Sequence, residues 1–181
     1  MEAVELNDDG SFPRRYSKQY GVELKPVERS KVGAFGIGFF FPVEGSNDLF
    51  DQRFRKNNNT IRPHLDQLTK GLLFRLRGTK TLDALAIQLN EISSISLIKE
   101  PDKLNPIKYG PFWFLLKLGM HPQYAFWFGR GLPQEYSAGD VTVIFNMNDK
   151  DRLCLKWNGE KWKQVQQFFK NSIIKSIVEL S

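Results

Sequence analysis

Residues 141–181 read VTVIFNMNDKDRLCLKWNGEKWKQVQQFFKNSIIKSIVELS, and this stretch changes its hydrophobic period halfway. Val141, Val143, Phe145 and Met147 alternate with polar or smaller residues, Asn148-Asp149-Lys150-Asp151 has the composition of a turn, and Leu153, Leu155 and Trp157 alternate again. Period two on both sides of a polar turn predicts a β-hairpin. After Asn158-Gly159 the apolar positions become Trp162, Val165, Phe169, Ile173, Ile177 and Leu180. That spacing predicts one amphipathic helix running to the end of the sequence. Lys161, Lys163, Lys170 and Lys175 fill its other face. A solvated lysine face is the simplest account of them, with a membrane-surface or nucleic-acid face as alternatives.

Upstream lies a procession of short apolar segments: Leu72–Arg77, Leu85–Leu89, Ile95–Lys99, Phe112–Leu118 and Tyr124–Phe128. Glycine, proline and aspartate clusters separate them, as turns require. With the hairpin they make seven expected strands. Leu82, Leu85, Leu89 and Ile92 fit a helical stripe equally well, so residues 82–95 read as strand or helix. The aromatic run from Tyr109 to Phe128 is apolar on both faces if extended, and its second face then needs a cover.

The first part of the chain offers that cover. Residues 1–18 are polar and without period, which predicts an extended or disordered tail. Gly21–Val27 and the glycine- and phenylalanine-rich Val32–Phe41 read as a pair of strands, Asn47–Arg55 as a short helix, and residues 56–70 as a linker. The organisation expected is therefore a tail (1–18), an N-terminal β-arm and linker (19–69) packed on the main domain, and that domain (70–181). Phe39 and Phe41 on the arm, with Trp113 and Trp127, form the expected arm-docking or partner surface.

The chain has 181 residues, 41% of them hydrophobic, which suits one well-buried domain with appendages. Its net charge is +6, and because residues 1–60 hold nine basic and nine acidic side chains, the excess lies later. A moderately basic surface attracts acidic partners, although the same charge serves plain solubility. The single cysteine, Cys154, forms no internal disulfide and points to a reducing, cytoplasmic compartment. Met1–Asp9 has neither the basic start nor the apolar run of a secretory signal, and Val32–Val43 is too short to span a bilayer as a helix.

The segment Ile87-Gln88-Leu89-Asn90-Glu91-Ile92-Ser93-Ser94-Ile95-Ser96-Leu97 has an apolar-x-x-acidic-Ile-x-x-Ile pattern, in which Ile92 and Ile95 turn inward around a polar corner. It resembles the run where strands two and three meet in bacterial pleckstrin-homology-like (PH-like, GRAM-like) domains. The resemblance covers about residues 70–180. It implies a β-rich α+β fold, a seven-stranded PH-like barrel closed by one C-terminal helix. Phosphoinositide-binding members cluster basic residues between strands one and two, and Arg75, Arg77 and Lys80 stand there as the implied anion- or lipid-binding set. The next strand carries Leu85-Ala86-Ile87-Gln88, with no basic residue, and thereby departs from the specific lipid binders. Arg75 and Arg77 also read as the solvated face of a strand whose Leu72, Phe74 and Leu76 point inward.

Catalysis finds no constellation in the sequence. His64, His121 and Cys154 do not form a metal-ligand spacing, there is no Gly-x-Ser-x-Gly elbow, and Cys154 between Leu153 and Leu155 reads as a small hydrophobe. Gly33-Ala34-Phe35-Gly36-Ile37-Gly38 lacks both the spacing and the following helix of a phosphate loop. The expectation is a noncatalytic interaction domain without cofactor or metal, its ligand another protein or a second copy. A peripheral site for anionic membrane lipid is one alternative and a basic nucleic-acid-binding protein, which lacks a recognisable signature, another.

Overall fold

The computed structural model describes residues 1–28, 37–38, 40–43, 48–50, 52, 63–77, 82–149, 151–171 and 178–180. Two five-stranded sheets share one core. The first is built from β1 (Glu2–Glu5), β2 (Ile37–Gly38), β4 (His64–Gln67), β5 (Gly71–Arg77) and β6 (Leu82–Gln88), in the spatial order β1-β6-β5-β4-β2. The second takes β3 (Phe40–Pro42), β7 (Ile92–Lys99), β10 (Val141–Met147), β11 (Arg152–Trp157) and β12 (Val178–Leu180), in the order β12-β7-β10-β11-β3. Among the described residues all pairings are antiparallel except β12 with β7. The chain changes sheet three times: from β2 to β3, from β3 back to β4, and from β6 to β7 through the 3-10 turn Leu89–Glu91. That turn is capped reciprocally by Gln88 and Glu91, so the stretch left open between strand and helix is strand, turn and strand.

Alternation decides which side chains meet. Leu72, Phe74 and Leu76 on β5 and Leu85 and Ile87 on β6 face Val141, Val143 and Phe145 on β10 and Leu153, Leu155 and Trp157 on β11, all fully buried. Phe74 sits edge-on to Phe40, Phe50 and Phe145 at centroid distances of 6.1, 5.7 and 5.7 Å. Helix α4 (Trp162–Asn171) adds Val165, Phe168 and Phe169 to this core, with Phe169 5.9 Å from Phe145. The chain is thus a β-rich α+β fold with antiparallel sheets and a helix toward the C-terminus.

The first sheet is buried on both faces. Its outer side presents Val4, Leu73, Ala84 and Ala86, and Leu6, Phe12 and Tyr20 cover them. The expected tail is therefore structural: Glu2–Glu5 pairs with β6, and residues 14–20 form a 3-10 turn leading into helix α1 (Ser17–Tyr20). Continuous apolar runs in β5 and β6 were the signal, because strands hidden on both faces do not alternate cleanly.

Other expectations give way. The stretch set aside as linker contains β4, hydrogen-bonded between β5 and β2. Gly21–Val27 is not a strand; it contributes one isolated bridge, Glu23 with Leu68, and a helical turn at residues 26–28. Of Val32–Phe41, the described part joins the two sheets instead of covering the aromatic run: Ile37–Gly38 pairs with β4, and Phe40 and Phe41 pair with β11. Of the expected helix Asn47–Arg55, Asp48–Phe50 and Gln52 are helical, and Phe50 lies buried against Phe40 and Phe74. Of the expected C-terminal helix, Trp162–Asn171 is helical, residues 172–177 lie outside the described residues, and Val178–Leu180 forms β12 on the edge of β7. Pairing there protects an edge of β7 that would otherwise offer a row of open hydrogen-bonding groups.

Candidate functional site

Strands β7 and β10 are adjacent and antiparallel, with Lys99 opposite Val141, yet residues 100–140 lie between them. Antiparallel neighbours need only about 2–5 connecting residues, and much longer excursions within a compact domain generally carry function. The excursion is a small structure of its own. β8 (Lys103–Leu104) pairs with β9 (Tyr136–Ser137) as a stem, and helices α2 (Pro111–Lys117) and α3 (Pro122–Phe128) form a hairpin above it. Phe112, Ala125 and Tyr136 are its buried centre, with Leu115, Leu116, Met120 and Phe126 packed around them.

These are the segments expected as aromatic strands, and their ends explain the difference. Each helix begins with proline at its first position, where φ is already helical and no N–H is missed. Each ends in a Schellman motif. Gly119, at φ +81°, donates to the Leu116 carbonyl (3.0 Å), and Met120 donates to that of Leu115 (3.1 Å). At the second helix Gly131 donates to the Phe126 carbonyl (2.9 Å), and the left-handed position is held by Arg130, at φ +49°. The helical stripe was present as Phe112, Leu115 and Leu116, but aromatic residues on the remaining positions hid the period. A side chain at Gly129 would stand 2.7 Å from the Phe112 backbone, so glycine there permits the two helices to touch.

Two carboxylates fix the stem, Glu135 buried and Asp102 partly so. Glu135 accepts from the Ile107 amide (2.8 Å) through Oε1 and from the Leu132 amide (2.7 Å) through Oε2, clasping the two strands of chain that enter and leave the hairpin. Asp102 accepts from Lys99 Nζ (2.6 Å), the Gly139 amide (3.1 Å) and the Tyr136 hydroxyl (3.1 Å). Burial acts to raise the Asp102 pKa, but those three donors together hold it below the usual carboxylate range. Burial, together with the Asp102 charge, pushes Tyr136 up to about 12. Lys163 of α4 reaches the Tyr124 hydroxyl at 3.3 Å, tying the hairpin to the body.

Above this stem the hairpin is apolar on the outside too. Tyr109 is 77% exposed, Leu118 67%, Trp127 64% and Phe128 74%, and Phe114 and Tyr124 are also exposed. Large residues this open, contiguous along two short helices, are unusual on a folded domain and mark contact surfaces.

The residues expected to form sites are dispersed. Arg75 is buried, not solvated: its Nε bonds Asp66 Oδ2 at 2.5 Å, and its other nitrogens bond Glu23 and the Gly10 carbonyl, which locks the N-terminal cover to the first sheet. Its guanidinium is fully engaged and does not face an external phosphate. Burial works against Asp66 ionisation, yet the His64 hydrogen bond and Arg75 keep its pKa lowered. Arg77 lies at the end of β5, and Lys80 falls outside the described residues. Phe39 also lies outside them, whereas Phe41 is exposed on the edge strand β3. Trp113 and Trp127 both lie on the hairpin, one on each helix, with Trp113 packing edge-on against Tyr109 at 5.4 Å and Trp127 against Phe126 at 6.2 Å. Burial pushes the Cys154 thiol upward, against the pull of Arg152, so it stays protonated at neutral pH. Among the described residues no three His, Cys, Asp or Glu side chains converge as metal ligands, and no helix is long and apolar enough to cross a membrane. A polar cleft of about 360 Å³ lies at the other end of the β7–β10 pair, where Glu91 is already paired with the Met1 ammonium at 3.2 Å. No protein-family model matches the chain, and comparisons with curated proteins and with solved structures find no significant match.

Proposed function

We propose that this chain is a noncatalytic interaction domain: a PH-like body of two packed sheets and a helix, presenting the α2–α3 hairpin as its contact surface. The observation that carries the reading is the exposure of Trp127, Phe128 and Leu118 on a hairpin whose own core is already complete without them. Such residues contribute nothing to the fold by being in water, and a partner that covers them gains roughly 1.5–3 kcal/mol for each large side chain fully buried. The PH-like assignment is supported by the β-rich body and by a helix that plugs the core through Val165, Phe168 and Phe169.

The test is a triple variant, Leu118→Ser/Trp127→Ser/Phe128→Ser. Its urea midpoint should stay at the wild-type value, since exposed substitutions change stability by about 0.5 kcal/mol or less. In gradient sedimentation of an extract from the source cells, the wild-type chain should travel with a larger species and the variant as the free chain. Identical sedimentation of the two refutes the reading, as does an unfolded variant.

A further inference from the structure

We propose that the occupant of the hairpin is an anionic lipid surface, on which α2 and α3 lie in the headgroup region. The proposal rests on the hairpin being the contact surface and names what it contacts. Three features of the same segment point to lipid.

The first is charge. From Lys103 to Gln134 there is no aspartate or glutamate, while Lys103, Lys108, Lys117 and Arg130 are all exposed. The acids that bound this stretch, Asp102 and Glu135, are turned inward onto the stem and saturated by its donors. The hairpin is thus purely cationic on a chain that carries 20 acidic residues elsewhere. Juxtaposed cations are drawn to the negative surface potential of anionic bilayers.

The second is how cations and rings alternate. Lys108 Nζ lies 5.2 Å from the Tyr109 ring centroid and Lys117 Nζ 5.7 Å from that of Trp113. Lysine is depleted from protein–protein contact surfaces, whereas lysine interleaved with tryptophan and tyrosine is the composition of a membrane interface. A protein partner would have to desolvate these ammonium groups; a bilayer leaves them among phosphates while the rings sink past them.

The third is size. Helices of seven residues are about 10 Å long, too short to span a bilayer and comparable to the roughly 5–10 Å depth at which interfacial helices lie. Each helix buries one stripe and exposes a second, Phe114 on α2 with Leu118 at its C-cap, and Tyr124, Trp127 and Phe128 on α3. Short helices apolar all round are stable only where both stripes are out of water. Among the described residues, Tyr109 and Arg130 are the non-glycine positions with left-handed φ, +67° and +49°. Both flank the hairpin, where glycine would be easier, and both side chains belong to the aromatic and cationic set a bilayer interface takes up.

The experiment is flotation of the full chain with two kinds of vesicle: phosphatidylcholine alone, and phosphatidylcholine with phosphatidylglycerol in equal parts. At low salt the wild type should float with the anionic vesicles and stay largely unbound with the neutral ones. Lys108→Gln/Lys117→Gln should lower the anionic partition roughly 25-fold, at about fivefold for each cation, and the deficit should vanish in high salt. Trp127→Ser/Phe128→Ser should lower it by about tenfold or more at any salt. Both variants should melt at the wild-type temperature, and brominated lipid should quench wild-type tryptophan fluorescence more than that of Trp127→Phe. A wild type that ignores anionic vesicles, floats equally with neutral ones, or floats like both variants overturns the proposal. If it ignores vesicles while the triple serine variant still loses its large species, the membrane falls and the contact surface stands, with a protein as its partner. If neither assay responds to the hairpin, both readings fall.

Discussion

Replacing Glu135 by glutamine should open the hairpin without unfolding the body. The carboxylate holds two amides at once, Ile107 at 2.8 Å and Leu132 at 2.7 Å, and the side chain is buried. Glutamine can accept from one of them, but its amide nitrogen then faces the other N–H with no acceptor between. A hydrogen bond to a charged group contributes about 1.5–3 kcal/mol, and a donor left unsatisfied costs about 1–3 kcal/mol where it is buried. Ile107 and Leu132 are themselves half open to water, so solvent recovers part of that penalty. The net cost is about 2–4 kcal/mol. Because the stem is joined to the body through Lys99, Gly139 and Lys163 rather than through Glu135, the loss falls on the hairpin. Amide exchange over residues 112–128 should therefore accelerate roughly 30- to 700-fold, at about 1.4 kcal/mol per decade. Exchange in β10 and β11 should hold near its wild-type rate. Unchanged protection of α2 and α3 refutes the clasp; equal acceleration in β10 and β11 refutes the independence of hairpin and body.

Phe74→Ala should cost the whole domain about 3–5 kcal/mol, because the ring is fully buried between the sheets against Phe40, Phe50 and Phe145, and urea unfolding should show one lowered midpoint in both sheets. A loss confined to one sheet speaks against a shared core. Tyr136 gives an alkaline limb: its folded pKa of about 12 lies above the ordinary value near 10, so its stabilisation is complete below about pH 10 and fades as pH rises toward 12. Tyr136→Phe should remove that limb from the stability–pH profile of the hairpin, and a limb that survives the substitution belongs to another group.

Much of the body was legible in residues 141–169. Alternation in Val141–Met147 and Arg152–Trp157 dictates a hairpin, and the register found, Val143 opposite Leu155 and Phe145 opposite Leu153, puts all the larger apolar residues on one side. The change of period at Asn158 likewise announces α4, which follows the 3-10 turn Gly159–Lys161, and Asn158 caps that turn by accepting from the Glu160 amide at 2.9 Å. The candidate surface was half legible. Trp113 and Trp127 stood out by aromatic density, but seven-residue helices give too few turns for a period to show, and the proline starts with their glycine and Schellman ends were the readable sign.

The sequence by itself determined the β-rich body, the terminal hairpin-and-helix and the absence of acid from Lys103 to Gln134, since these depend only on local period and composition. Tertiary structure decided what touches what. Arg75 looked available because a strand's outer face is ordinarily wet; only the folding of Gly10, Glu23 and Asp66 around it made it a buried tie. Phe112 and Phe128 carry the same side chain in neighbouring helices, yet one is buried and the other open, because helix packing selects one stripe and leaves its neighbour to water. Burial is a property of the meeting of segments far apart in the chain, so no local pattern could assign it.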